Sequence, residues 1–170
     1  MKPYRCQICG EVYLGELPPD RCPFCGVLGN YLLSAPEYIT YGEVDLSQNS
    51  REFCRQAIEL EANNVAYYRC AARSQDDPVR AAIFKRAAKH EAEHLELIAE
   101  MAGIEEEPHI EEECGDDTRE NMESALKREN WAVKLYTRFA RQAPEGRMRE
   151  VFRALADVEM EHYKMFNLYR

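Results

Sequence analysis

Apolar and polar positions are distributed in two ways along this chain, and the change falls near residue 50. Over residues 1–40 the apolar stretches are cut by Gly10, Gly15, Pro18, Pro19, Pro23, Gly26, Gly29 and Pro36. That density of turn formers allows short strands and loops but no long helix. Beyond residue 50 the composition turns helical. "SREFCRQAIELEANNVAYYRCAAR" reads as a first helix, capped near Asn49 or Ser50 and closed by "SQDD". A second opens with Asp77 as N-cap and Pro78 at the first helical position, and Gly103 is its stop. A third starts at "DDTRE", where Asp117 and Glu120 have capping-box spacing, and runs to near Pro144. Pro144 then opens a fourth. Four helices of about 25 residues, each about 38 Å long, are predicted.

The connections suggest a topology. The first and third links are short and predict two helical hairpins. The middle one, "GIEEEPHIEEECG", has about twelve residues and reaches about 40 Å when extended. That is enough to travel back along a helix before the next begins, which is the ferritin-like arrangement of a four-helix bundle with one long crossover, the alternative being a simple up-down bundle with a loose acidic loop. The predicted organisation is a small β/loop module over residues 1–40, a linker over 41–50 and a mainly α bundle over 51–170.

Net charge and cysteine usage narrow the picture. The formal charge of −9 includes three basic and four acidic groups in residues 1–40, and no basic stripe stands out. Phosphate-backbone binding is therefore not expected. No apolar run approaches the roughly 18–20 residues of a membrane span, and the first residues lack a signal-peptide core, so a cytoplasmic setting is expected. Four of the seven cysteines sit in two C-x-x-C-G clips. Cys54, Cys70 and Cys114 are scattered and do not read as a disulfide framework, which fits a reducing compartment.

The candidate chemistry lies in an internal repeat. Glu91 and His94 on the second helix, and Glu159 and His162 on the fourth, both form E-x-x-H at an offset of 68. Thirty residues before each of these glutamates stand Glu61 and Glu129, and seven further on come Tyr68 and Tyr136, all at the same offset. Val65/Val133, Ala72/Ala140, Arg73/Arg141, Phe84/Phe152 and Ala88/Ala156 also match. Positions i and i+3 lie about 60° apart on a helix, so each Glu and His share a face. Positions i and i+7 nearly eclipse, which stacks each tyrosine above the glutamate of its own helix. Two such hairpins would aim four carboxylates and two imidazoles at one point. Four carboxylates balance two divalent cations, and this set is the one found in di-iron and di-manganese carboxylate bundles. Iron is expected, and manganese or a mixed pair is compatible with the same donors.

The clips in "YRCQICGEVYLGELPPDRCPFCG" supply Cys6, Cys9, Cys22 and Cys25. Four thiolates suit either zinc or a single iron. Gly10 and Gly26 are expected to relieve the backbone so that amides face the sulfurs. A module this small buries little apolar surface, so the metal must supply much of its folding energy. A paired-iron site needs one-electron deliveries, which favours iron in the clips.

At this point the chain resembles the rubrerythrins over nearly all its length. The clip region is similar to their rubredoxin-type module and the helices to their di-iron bundle. The usual order puts the bundle first, so the arrangement here resembles the reverse rubrerythrins. The resemblance implies reduction of hydrogen peroxide, electrons entering through the rubredoxin iron from an external reductase, and homodimers in which one chain's rubredoxin site serves the other's di-iron centre. It also implies di-iron ligands Glu61, Glu91, His94, Glu129, Glu159 and His162, and iron-sulfur ligands Cys6, Cys9, Cys22 and Cys25. Read from their positions alone, Tyr68 and Tyr136 either hydrogen-bond ligand carboxylates or bound oxygen, or simply pack with one satisfied hydroxyl. One departure stands out. Rubrerythrins have a further glutamate one turn after the third-helix ligand, and this chain has Ala132 there.

Other residues read more plainly. His90 has Val158 as its repeat partner, so it is expected to support the site and not to ligate. Cys54 and Cys70, paired in the repeat with Met122 and Arg138, read as packing or surface positions. His109 and the acidic runs at 105–107 and 111–113 read as solvated crossover, and Trp131 and Phe139 as core or supporting residues. The competing functions are a ferritin-like ferroxidase, a dioxygen-reducing oxidase, which Ala132 keeps open, and a zinc ribbon displayed on a helical scaffold.

Overall fold

The structure, a computed structural model, describes residues 1–41, 44–106, 108–111 and 113–170. Gly42 and Glu43 of the linker, and Glu107 and Glu112 of the acidic runs, lie outside the described residues. The first forty residues form a three-stranded antiparallel sheet, β1 (Lys2–Cys6), β2 (Val12–Gly15) and β3 (Leu32–Ser34), in the order β2-β1-β3. Tyr4 pairs with Tyr13 on one side and Ser34 on the other. Each clip is a tight turn beside the sheet. Gly10 donates its N–H to the Cys6 carbonyl and Gly26 to the Cys22 carbonyl, both at 3.0 Å. These glycines have φ of 80° and 79°, the left-handed region that side chains avoid. The glycines thus relieve the backbone as expected, and in the second clip the Cys25 amide faces the Cys22 sulfur.

Four helices follow: α1 (Gln48–Ser74), α2 (Pro78–Ala102), α3 (Thr118–Gln142) and α4 (Gly146–Tyr169). Their ends follow local chemistry. Asp77 caps α2 by accepting the Val79 N–H at 2.8 Å, with Pro78 at the start and Gly103 in the left-handed conformation at the end. Asp117 caps α3 through the Glu120 N–H at 3.0 Å. Two ends differ from the expectation. Ser47 caps α1, and its hydroxyl oxygen accepts the Ser50 N–H at 3.2 Å. Pro144 lies before α4, whose N-cap is Glu145. The Glu145 carboxylate is committed elsewhere: it accepts the Ser47 N–H at 2.6 Å and the Ser50 hydroxyl, so it holds the start of α1.

The two hairpins, α1–α2 and α3–α4, pack together with α3 antiparallel to α1. Arg138 near the end of α3 donates to Gln56 near the start of α1 at 3.1 Å. At the other end Tyr67 donates to Asn121 at 2.8 Å. The link from Gly103 to Asp117 thus starts beside the beginning of α1 and finishes beside its end, so it runs the length of the bundle. Asn121 fastens its last part by accepting the Gly115 N–H and donating to the Gly115 carbonyl and Ser74. This is the ferritin-like bundle with one long crossover, preceded by a small cysteine-rich module. No helix among the described residues is long and apolar enough to cross a membrane.

The crossover carries a correction. Cys70 and Cys114, read from the sequence as unpaired, are joined by a disulfide. Their sequence separation of 44 hides the fact that the crossover's end lies beside the last turns of α1. On a chain-entropy basis such a loop stabilises by about 4 kcal/mol, and cysteine usage no longer argues for a reducing compartment. Cys54 is buried and packed, as expected. Phe139 is core, whereas Trp131 is 57% exposed and is not part of the core.

The core is continuous between modules. Tyr4, Ile8, Val27 and Leu32 of the sheet region belong to the same buried cluster as Phe139, Phe152, Leu155 and Val158 of the bundle. Polar ties reinforce it: Arg147 donates to the Gln7 and Ile8 carbonyls at 2.7 and 3.1 Å, and Arg21 pairs with Asp157 at 3.0 Å. Loss of the Glu145 carboxylate removes the tertiary cap of α1. Glu145→Ala is expected to lower stability by about 1–2 kcal/mol in urea unfolding, the range for a lost helix cap, without changing metal content. A midpoint identical to that of the unsubstituted chain would show that Ser47 alone suffices.

Candidate metal centres

The sulfur centre forms because each clip turns two side chains inward. The four sulfur atoms lie within 4.8 Å of one another, with Cys6 to Cys25 and Cys9 to Cys22 at 3.9 Å. A tetrahedron with metal–sulfur bonds near 2.3 Å has edges of about 3.8 Å. The sulfurs therefore fit one tetrahedral ion, iron or zinc alike. Cys6, Cys22 and Cys25 are buried, and Cys9 is half-buried. Four close thiols cannot all ionise unaided. Hydrogen bonds from Cys25 and Cys6 hold Cys22 far below the usual thiol range, while the same contact with Cys22 pushes Cys25 far above it.

The second centre sits mid-bundle. Glu61, Glu91, Glu129 and Glu159 are fully buried with His94, and His162 is nearly so. Two overlapping groups form, Glu61, Glu91, Glu159 and His94 on one side, and Glu91, Glu129, Glu159 and His162 on the other. Glu91 and Glu159 are shared and so lie between two positions. His94 Nδ1 is 3.1 Å from both Glu91 and Glu159 and 3.7 Å from Glu61. His162 Nδ1 repeats this with Glu91 and Glu159 at 3.1 Å and Glu129 at 3.7 Å. All six ligand candidates read from the repeat are thus brought together.

The donor set fits a pair of cations. Each glutamate keeps one buried oxygen with no hydrogen bond among the described residues: Glu61 Oε2, Glu91 Oε1, Glu129 Oε2 and Glu159 Oε1. Leaving a buried carboxylate uncompensated costs several kcal/mol per ion. Without a cation the site divides its charge with protons. Burial drives Glu61 and Glu129 well above the carboxylate range, reinforced by the charges of their neighbours. Burial also acts on Glu91 and Glu159, but the imidazoles hold both low. His94 and His162 are held well above their usual range, against the effect of burial, by the carboxylates around them.

Two further sets of contacts orient the ligands. Tyr68 donates to Glu129 Oε1 at 2.5 Å, and Tyr136 donates to Glu61 Oε1. Each tyrosine shares a buried helix face with the glutamate of its own helix, but its hydroxyl reaches across the bundle to the glutamate of the opposite hairpin. Helix periodicity places them inward, but only the packing of α1 against α3 decides whose carboxylate they meet. On the other side His94 Nε2 lies 2.8 Å from the Cys25 carbonyl. A carbonyl only accepts, so His94 carries its proton on Nε2 and turns Nδ1 to the carboxylates. The two centres therefore meet within one chain. Nothing in the sequence shows this contact, because it joins residues 69 apart in different modules. His162 Nε2 has its own partner, His90 Nδ1 at 2.9 Å. Burial, aided by the charges of His162 and His94, pushes His90 down to about 3. Ala132 is fully buried, and its repeat mate Asn64 is a buried amide that accepts from Arg128 at 3.2 Å.

Comparison with known proteins agrees with this geometry. Residues 4–31 match the family model described as rubrerythrin, rubredoxin-like domain, and residues 120–169 match the model described as rubrerythrin. Along the chain the rubredoxin-like match comes first and the rubrerythrin match second. A relative is reverse rubrerythrin-1 of Clostridium acetobutylicum, 31% identical over 114 residues that cover 61% of this chain. The match spans 63% of that protein's length. No solved structure matches. A rubredoxin-like four-cysteine site and a carboxylate–histidine site are both present among the described residues.

Metal entry has to expel protons from Glu61, Glu129, His94 and His162. Ferrous-ion uptake should release protons in weakly buffered solution, and affinity should fall by about tenfold or more per pH unit of acidification. Affinity that stays constant between about pH 6 and pH 8 would remove the assignment of these groups as ligands.

Proposed function

We propose that this chain is a non-haem di-iron peroxidase that reduces hydrogen peroxide to water, with electrons delivered through the cysteine-bound iron. The observation that carries the reading is the direct contact of His94 with the Cys25 carbonyl. It links a thiolate ligand of one centre, by its own peptide group and one hydrogen bond, to a histidine of the other. A zinc ribbon on a scaffold has no use for such a contact, and neither does a ferroxidase.

Cys6, Cys9, Cys22 and Cys25 would hold one iron, and Glu61, Glu91, His94, Glu129, Glu159 and His162 a pair. An iron pair held there would supply the two electrons that break the O–O bond, and a single iron in the clips would pass on replacements one at a time from an external donor. Each peroxide also takes up two protons to leave as two waters. The chain's own residues prepare the site for this. Tyr68 and Tyr136 hold Glu129 and Glu61 in place while keeping their own protons, since burial and the neighbouring carboxylates hold both phenols well above the usual range. Phe84 and Phe166 surround Tyr68, and Phe139 and Phe152 surround Tyr136, which keeps bulk water out. His94 carries its Nε2 proton on the electron side, away from the oxidant. Cys9, the half-buried sulfur, lines a cleft of about 730 Å³ with Arg5, Arg51 and Arg147, which is where an external donor would approach.

Dioxygen as oxidant is the second reading, and Ala132 favours it. No carboxylate follows Glu129 by one turn on α3, so the ligand exchange that the family resemblance implies has no group to perform it there.

Stopped-flow spectroscopy separates these. In the fully reduced protein, hydrogen peroxide should restore the visible ferric-thiolate band much faster than dioxygen does. Glu91→Ala, which removes a carboxylate shared by both positions, should abolish turnover while the clips still bind iron. Undiminished peroxide turnover in that variant, or faster reoxidation by dioxygen than by peroxide, would defeat the proposal.

A further inference from the structure

The bundle is a near two-fold repeat, yet a single cysteine module docks on it, and the two histidines meet different partners as a result. His94 Nε2 donates to the Cys25 carbonyl. His162 occupies the equivalent place, and among the described residues no second module gives it a carbonyl. At the position related to His90 by the repeat the chain has Val158, so the duplication does not hold here. The break is used. His90 Nδ1 lies 2.9 Å from His162 Nε2, with the rings 5.2 Å apart and inclined by 14°.

The proton positions follow from the contacts. His162 Nδ1 faces Glu91, Glu129 and Glu159, and with a cation bound at Nδ1 the ring would keep its one proton on Nε2. Nε2–H then donates to His90 Nδ1, and the proton of His90 sits on its own Nε2, a buried atom with no hydrogen bond among the described residues. His90 is not itself a candidate ligand, because its inward nitrogen is occupied by His162. The docked module also seats it. A Cβ built on Gly26 would lie 3.3 Å from His90 Nδ1 and 2.9 Å from Val158 Cγ1, so the second clip closes directly over both residues of the broken repeat.

We propose that His90 is a positioning residue for His162, serving it as the Cys25 carbonyl serves His94, and that it thereby makes the two metal positions inequivalent. The proposal rests on the paired-metal reading of the site. It assigns one position to an imidazole held by the other module's backbone, and the other to an imidazole held by a side chain of its own bundle. Outer partners of this kind change metal affinity by about 10–100-fold when removed.

Cobalt(II) is the probe, added to the full-length metal-free protein in competition with a chelator. The thiolate bands report the sulfur site, and the weaker visible bands report the carboxylate–histidine pair. In His90→Leu, one of the two carboxylate-site affinities should fall by about 10–100-fold with altered visible bands. The other affinity should not change. His90→Asn, whose amide oxygen restores an acceptor near the Nδ1 position, should recover most of the loss. Wild-type affinities and spectra in His90→Leu would overturn the proposal alone. Equal losses in both variants, with native helical content and melting, would also overturn it, because packing and not acceptance would be at work. Failure of the unsubstituted protein to bind cobalt outside the sulfur site would overturn the paired-metal reading, and this proposal with it.

Discussion

Four carboxylates share one dry cavity, and the rest of the molecule is arranged around their mutual repulsion. Glu61, Glu91, Glu129 and Glu159 have no exposure to water, so their charge must be met from within. Protons, imidazoles and cations are the available compensators, and the site uses fixed donors for geometry while leaving one oxygen per carboxylate for a cation. Long helices are the natural carriers of such a site. Their backbone groups are satisfied internally, so one inward face can hold acids while the adjoining positions hold Phe84, Phe152 and Phe166. The aromatic walls raise the cost of stray charge and so sharpen the demand for divalent cations.

The same constraint explains how the cysteine module is attached. A small module rich in turns has little core of its own, and here it borrows one: Ile8, Val27 and Leu32 extend the bundle's apolar cluster. Arg147 and Arg21 fix it with hydrogen bonds from and to α4. The docking is directional. It brings the Cys25–Gly26 turn over the two histidine-bearing helices, while the tyrosines occupy the opposite pair, α1 and α3. The cysteine module and the two tyrosines thereby lie on different sides of the carboxylate cluster, a few side chains apart.

Much of this was legible in the sequence, for a physical reason. Ligation demands particular residue types at fixed helical spacing, so Glu91 with His94 and Glu159 with His162, in register with Glu61 and Glu129, carried the site openly. Asp77, Pro78, Gly103 and Asp117 marked helix ends because capping is local. Contacts that depend on tertiary packing left no such mark. Glu145 holds Ser47 and Ser50 across 98 and 95 residues of chain, and Cys70 meets Cys114 only because the crossover ends beside α1. Trp131 looked like a supporting residue from its place next to the site helix positions, yet it is exposed and not part of the core. The exchange of tyrosines between hairpins, and the reach of His94 to Cys25, depend on how helices and modules meet.

That exchange of tyrosines has a consequence for the origin of the fold. Each hairpin supplies a glutamate, an E-x-x-H and a tyrosine that bonds the other hairpin's glutamate, so neither is self-sufficient, but two identical copies would be. A half-length ancestor could have assembled the whole ligand set as a symmetric dimer. Fusion into one chain keeps every one of those contacts and adds what a symmetric pair cannot have: a face that accepts one module only, and a single position free to hold histidine where its twin holds valine.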